Sequence, residues 1–483
     1  MRCSMHKPRG TQVVNPGPAQ SALVATTRGM TAQPLQATSP EGTGAPTPLV
    51  QFLSTFHLDS KQLRALTQKF EVTFRKLAAE SHNQFLPTPI LTSLLRPIGD
   101  LTKGEGCLNR RLAIDIPLLS GGTNLRVGFV GLRQETAESE DDDDSASSTI
   151  EVLLERSCPI GEQLKHKNHA ALFDWIGQTI AAVVKDACSQ WQLDPQVVLP
   201  MGVTFSFPMY QHSLSEAVPM SMGKGFHFDE GTDLGSQLLQ GYENHRTPDL
   251  PPIRVVAIAN DSVATLISFI YQYGVAENRS PAMGLIVGTG CNATVTLPLE
   301  ILGDKVDTIS LGPAAGPKNE QCRVAVNTEW TINGTAGPLR EMGLITKWDE
   351  ELDQAGETPG FQPLEYLTSG RYFGPPNARF LEKLENTFPS VAGPSPHRWT
   401  QTHVDALYQI AQAIQRRAAS LLASATIALL RLAGEIPAAP DTRYTAPAPQ
   451  GVKMLGPCHG GGITGAGILA AAVLASEEDI DAS

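Results

Sequence analysis

The chain has 483 residues, 41% of them hydrophobic, which is more than one hydrophobic core organises, so two or three domains are expected. A formal net charge of -12 argues against a nucleic-acid or anionic-membrane partner, since either favours a basic face. Seven cysteines, odd in number and far apart, fit reduced thiols rather than a disulfide framework, and the most apolar run, Gly467 to Ala475, is half of the roughly 20 residues that a bilayer span needs.

Residues 1 to 46 are rich in Ser, Thr, Pro, Gln and Ala and cannot form a packed core. They carry basic residues and no acidic one before Glu41, a composition that would suit an organelle transit peptide; without an amphipathic helix, a disordered tail is the preferred reading. Asp59 or Ser60 then caps a helix whose apolar positions Leu63, Leu66, Phe70, Phe74 and Leu77 have helical spacing. "RRLAID" reads as a strand, and "GGTNLRVGFVGLR", Gly121 to Arg133, as a glycine turn entering a second strand. The acidic run in residues 135 to 149 repels itself and is expected to be a solvated hairpin insertion. A helix follows from Ala170 to Trp191, then a buried strand from Val197 to Pro208 that closes with Ser206.

Between Ile253 and Thr294, two apolar strands each end in a polar loop. The first ends in Asn260 and Asp261, and the second in Gly288, Thr289, Gly290 and, two places on, Asn292. Central strands of α/β sheets end in this way, with functional loops at their carboxyl ends. "VAVNTEW", Val324 to Trp330, is expected to be a strand ending in Glu329, and Glu365 stands near the start of a short helix. The clearest helix is Val404 to Ala433, with an apolar stripe of Leu407, Ile410, Ile414, Ala418, Leu421, Ala425, Leu429 and Leu432. A proline-rich connector follows, and "GGGITGAGILAAAVLA" is expected to be a glycine turn opening a helix of small residues.

Three loops of glycine and threonine, Gly121 to Asn124, Gly288 to Gly290 and Gly460 to Gly467, present backbone amides of the kind that cradle phosphate oxygens. There is no P-loop lysine motif and no dinucleotide fingerprint. Ser206, Lys224, Asn260, Asp261, Asn292, Glu329 and Glu365 supply hydroxyl, ammonium, amide and carboxylate groups at strand ends, and sugar hydroxyls, which both donate and accept, need such partners. The pair His166 and His169 lacks a third metal ligand nearby, and a polar helix start accounts for it.

In order and spacing, "GGTNLRV", "TFSFP", "GKGF", "ANDSVATL", "GLIVGTGCNA", "NTEW" and "LEYLTSGRYFG" resemble the signature segments of the eukaryotic hexokinase family, from about residue 50 to 475. The resemblance implies an α/β, actin-like ATPase (ribonuclease H-like) fold with two domains around a sugar and ATP cleft. On that basis residues 1–46 are a tail, 106–261 a small domain rejoined by a helix over 465–483, and 47–105 with 262–464 a large domain. It also implies ATP and Mg²⁺ as cofactors, Asp261 as general base with Lys224 beside it, and Ser206, Lys224, Asn260, Asp261, Asn292, Glu329 and Glu365 around the sugar. The ATP phosphates fall to Gly121, Gly122, Thr123, Asn124, Gly288, Thr289, Gly290 and Gly465, and the metal to Asp115. The thiol pattern points to the cytoplasm, and charge and hydropathy leave neither a nucleic-acid partner nor a membrane span.

Gly223 in "MGKGF" stands where glucose-phosphorylating members usually carry Thr, and with "SGRYFG" this is similar to the fungal hexokinase-related N-acetylglucosamine kinases. The implied reaction is 6-phosphorylation of N-acetylglucosamine, with a glucose or mannose hexokinase as the alternative. Two departures fall beside ATP. Asp115 and Gly121 are separated by "IPLLS", four residues more than in the family, and the region of residues 435 to 460 is shorter by some tens of residues. They leave open a catalytically impaired, sugar-binding regulator.

Overall fold

The computed structural model describes residues 4–6, 47–95, 109–116, 124–134, 148–161, 164, 169–220, 228–229, 231–273, 281–288, 290–311, 322–356, 358–369, 399–437 and 461–481. The first sheet runs β1-β5-β4-β3-β6-β9, built from β1 (Ser4–His6), β3 (Asn109–Ile116), β4 (Asn124–Gln134), β5 (Ser148–Pro159), β6 (Leu199–Phe205) and β9 (Ile253–Ala259). Strands β3, β4 and β5 form an antiparallel meander, while β6 and β9 lie parallel to β3. This mixture requires crossovers, and helices supply them: α3 (His169–Trp191) precedes β6, and α4 (Leu234–Glu243) precedes β9. Helices cover both faces of the parallel half, which is why "IRVVAIA" is nearly continuous in apolar residues.

The second sheet is wholly antiparallel, in the order β10-β11-β12-β2, from β2 (Leu86–Leu91), β10 (Met283–Val287), β11 (Cys291–Pro298) and β12 (Arg323–Asn327). One face packs on α2 (Ser60–Glu80) and α9 (Gln401–Leu432), where Phe70, Phe74, Leu421 and Leu429 are fully buried beside Val295 and Val326. Helix α2 begins as its sequence requires. Asp59 Oδ1 accepts the amides of Lys61 and Gln62 at 2.7 and 2.8 Å, and Gln62 returns a bond to the Asp59 amide at 2.9 Å.

A third core lies between the sheets. It joins Ala113 and Ala257 of the first sheet to Ile90 and Ala325 of the second through α5 (Asp261–Tyr273) and α10 (Gly461–Asp481). Close approach is possible because the contact residues are small: a Cβ on Gly202 of β6 would lie 1.9 Å from the Ala466 carbonyl oxygen of α10. Far from this layer, Arg417 of α9 reaches Asp349 of α7 (Lys347–Gln354) through two 2.7 Å bonds, with the Phe56 ring 5.0 Å from its guanidinium carbon.

Three expectations change. From Gly461 to Gly467 the chain is helix rather than a turn: α10 starts at Gly461, and Gly462, Gly465 and Gly467 serve close packing. Strand β12 stops at Asn327, so Glu329 lies beyond the ladder, in a left-handed backbone conformation with φ +43°. Cys158 is disulfide-bonded, against the expectation of reduced thiols throughout, while Cys188, Cys291 and Cys322 are free. Up to Asp115 the β3–β4 ladder is intact, with an unbroken register from Asn109↔Leu132 to Asp115↔Arg126. The first-tail residues other than 4–6, most of the acidic run and the connector over 438–460 lie outside the described residues. Among the described residues no helix is long and apolar enough to cross a membrane.

Candidate active site

The carboxyl ends of β6 and β9 lie side by side, which brings Ser206 near Asn260 and Asp261. Asn260 donates through Nδ2 to the Phe207 carbonyl at 3.3 Å, tying the two strand ends together. Its Oδ1 accepts the Ser262 amide at 2.9 Å, so it caps α5, whose first residue is Asp261. A carboxylate at this helix start is stabilised by the helix dipole. Asn260 and Ser206 are buried, whereas Asp261 is half-buried.

A polar chain then crosses from α5 to the second sheet. Ser262 Oγ donates to Asn260 Oδ1 at 2.7 Å and lies 2.6 Å from Thr294 Oγ1 of β11. It is also 3.4 Å from Asn327 Oδ1 of β12. Asn292 Nδ2 donates to Asn327 Oδ1 at 2.8 Å and to Glu329 Oε1 at 3.0 Å. Asn327 Nδ2 donates to the same Glu329 oxygen at 2.9 Å, and the Glu329 amide donates to Asn292 Oδ1 at 3.1 Å. Next to Asn292, the Cys291 amide donates to Glu365 Oε2 at 3.4 Å, and Thr331 Oγ1 donates to that oxygen at 3.5 Å. Glu365 sits in the first turn of α8 (Pro363–Thr368). Ser206, Asn260, Asp261, Asn292, Glu329 and Glu365 therefore share one polar region where the two sheets face each other.

Asp115, one residue before the end of β3, lies opposite Thr204 of β6 and is 6% exposed. Burial pushes its carboxyl up to about 7; the Arg126 guanidinium, 3.5 Å away, opposes this, and the charges of Asp261 and Glu155 add to it. The start of α10 closes over it: Thr204 Oγ1 donates to the Gly462 carbonyl at 2.9 Å, and a Cβ at Gly462 would lie 2.5 Å from an Asp115 oxygen. A buried carboxyl within the field of a second one suits a hard divalent cation, which favours oxygen ligands and would hold both ionised. Among the described residues no group of three or more possible ligand side chains occurs, so water or ligand oxygens would complete such a shell.

The glycine loops divide. Gly288 and Gly290 belong to the tight hairpin between β10 and β11, where the Gly288 amide donates to the Gly290 carbonyl at 2.9 Å. Gly288 is exposed at that tip. Asn124 is exposed at the start of β4. Gly465 lies inside α10, where a Cβ would come within 2.2 Å of the Ala264 carbonyl oxygen of α5, so contact between the two helices accounts for this glycine. Lys224, Gly121, Gly122, Thr123 and Thr289 lie outside the described residues.

Three members of the polar chain had not been singled out from sequence: Ser262, Thr294 and Asn327. Each is at most 3% exposed. Their signal was available, because a polar residue within an apolar strand or helix face has to find a buried partner.

Two hexokinase family models match the chain, over residues 48–271 and 282–386. Among curated proteins it is 30% identical over 326 residues to Hexokinase-2 of Equus caballus, covering 67% of this chain and 30% of that protein. It is likewise 30% identical over 330 residues to Hexokinase-3 of Rattus norvegicus, covering 68% and 30%. The chain thus spans about a third of the length of the curated relatives it matches. Among solved structures, a hexokinase from Schistosoma mansoni complexed with glucose superposes with a TM-score of 0.51 at 22% identity, covering 80% of this chain and 83% of that one. A second hexokinase crystal structure gives a TM-score of 0.51 at 18% identity, covering 80% and 85%. At these identities the structural likeness speaks for the fold, which is the actin-like fold of the hexokinases.

Proposed function

The chain belongs to the hexokinase family, and we propose that it is an ATP-dependent sugar kinase that phosphorylates the 6-hydroxyl of N-acetylglucosamine. The observation that carries this reading is the continuous hydrogen-bonded chain from Asn260, beside a half-buried Asp261, to Glu329. Asp261 accepts the proton of the sugar 6-hydroxyl as the hydroxyl oxygen attacks the γ-phosphorus of ATP. Ser206, Asn260, Asn292, Glu329 and Glu365 bind the remaining hydroxyls, and Lys224 is assigned a catalytic part beside the base. Asp115 is the side chain that would hold Mg²⁺, which supplies charge neutralisation on the phosphates when bound. Gly121, Gly122, Thr123, Asn124, Gly288, Thr289 and Gly290 are assigned to the ATP phosphates.

In the same proposal, residues 106–261 and the final helix form a small domain that closes on a large domain of residues 47–105 and 262–464, excluding water as a competing acceptor. The reaction is assigned to the cytoplasm. Gly223 carries no side chain where glucose-phosphorylating hexokinases usually carry Thr, and this residue choice supports N-acetylglucosamine, with its larger 2-acetamido group, over glucose. Glucose is the second reading, because the Schistosoma mansoni hexokinase neighbour was solved in complex with it. A coupled assay with both sugars separates the two: a larger kcat/KM for glucose overturns the first reading. Sugar binding without ATP turnover would instead make the chain a regulator.

A further inference from the structure

Glu329 combines two features that need support: a left-handed backbone at a non-glycine residue, φ +43°, and a carboxylate that is 8% exposed. Such a conformation costs about 1 kcal/mol or more and persists where its surroundings enforce it. The enforcing residues come from the segment just before β2. Gln84, fully buried, donates through Nε2 to the Glu329 carbonyl at 2.9 Å and to Thr335 Oγ1 at 3.3 Å. Its other amide atom, Oε1, lies 2.0 Å from where a Cβ on Gly334 would be, so the Gln84 amide is wedged against that glycine. Phe85, itself left-handed at φ +53°, donates its amide to the Thr328 carbonyl at 3.0 Å.

Beneath this segment lies a buried cation. Lys305, 4% exposed, donates through Nζ to the carbonyls of Phe85, Gln84 and Leu77 at 2.9, 3.3 and 3.2 Å. Three carbonyls, one from the last turns of α2 and two from the residues just before β2, thus converge on one ammonium. None of these bonds reaches the face where Asn292 and Asn327 meet the Glu329 carboxylate.

We propose that Gln84 is a positioning residue for Glu329, and that Lys305 fixes the segment from which Gln84 acts. Gln84 holds the Glu329 peptide in its left-handed state, and this turns the carboxylate toward Asn292 and Asn327. Without it the peptide relaxes toward an ordinary backbone angle and the carboxylate leaves both amides. This inference rests on the proposed role of Glu329 in sugar binding.

The test compares Gln84→Met, Gln84→Asn and Glu329→Gln with the parent chain, measuring sugar binding by calorimetric titration of N-acetylglucosamine and glucose, the KM for sugar and for ATP, and thermal melting. Gln84→Met is expected to weaken sugar binding and raise the sugar KM about tenfold or more, with the KM for ATP unchanged. Gln84→Asn, shorter but still an amide, serves if the Met variant does not fold, and is expected to show the same split. Sugar binding lost in Glu329→Gln but unchanged in a folded Gln84 variant overturns the positioning role alone. A Gln84 variant that only melts earlier, with both KM values unchanged, assigns Gln84 to stability and also overturns it. Unchanged sugar binding in Glu329→Gln, or a parent chain that binds neither sugar, overturns the proposed function and this inference with it.

Discussion

Replacing Asp115 with Asn tests the reading of the β3 terminus as a site built at the expense of stability. A carboxyl whose pKa rises from 3.8 to about 7 on folding disfavours the ionised folded state by up to about 4 kcal/mol, taking 1.36 kcal/mol for each tenfold change in proton affinity. Between those two values the folded chain holds a proton that the unfolded chain has released. Stability therefore falls as pH rises from about 4 to about 7, and below both values the difference vanishes. The Asn variant carries no such charge, and Arg126, whose side chain is 41% exposed, is rehydrated at little cost. Urea denaturation in EDTA, across a pH series, is expected to show Asp115→Asn more stable than the parent by about 1 to 4 kcal/mol near pH 8, and equal to it near pH 3. The same variant is expected to lose phosphoryl transfer, since it lacks the proposed Mg²⁺ ligand. A variant less stable than the parent near pH 8, or a difference that does not change with pH, refutes the reasoning.

Three further outcomes are expected. Asp261→Asn should lower turnover by about a hundredfold or more while sugar affinity changes only a few-fold; residual turnover within tenfold of the parent, in a coupled assay, would remove Asp261 from its role as base. Gly202→Ala sets a methyl group 1.9 Å from the Ala466 carbonyl and should cost about 1 to 3 kcal/mol in denaturant melts by forcing α10 off the sheet. Arg417→Ala strands the largely buried Asp349 carboxylate and should cost about 3 to 5 kcal/mol, whereas Arg417→Met combined with Asp349→Leu should recover most of it, because a buried pair contributes little beyond its apolar replacement.

The sequence by itself determined most of the elements and named many residues of the candidate site. Alternation and helical periodicity located α2, α3 and α9 within a few residues, and the capping box at Asp59 and Gln62 set the start of α2, because these signals are local. Ordered motifs carried the family, and with it Asp261, Asn292, Glu329 and Glu365 as candidates. What only the tertiary structure decided concerns residues whose partners are distant in the chain. Glycines spaced as in a phosphate turn became the packing face of α10, since a missing Cβ serves either purpose and only the neighbouring backbone selects one. Glu329, expected at a strand end, proved to be left-handed and held from residue 84, 245 positions away. The raised pKa of Asp115 likewise arises when α10 and β6 close around it and Asp261 comes near, and neither burial nor a remote charge is encoded in the residues that flank it.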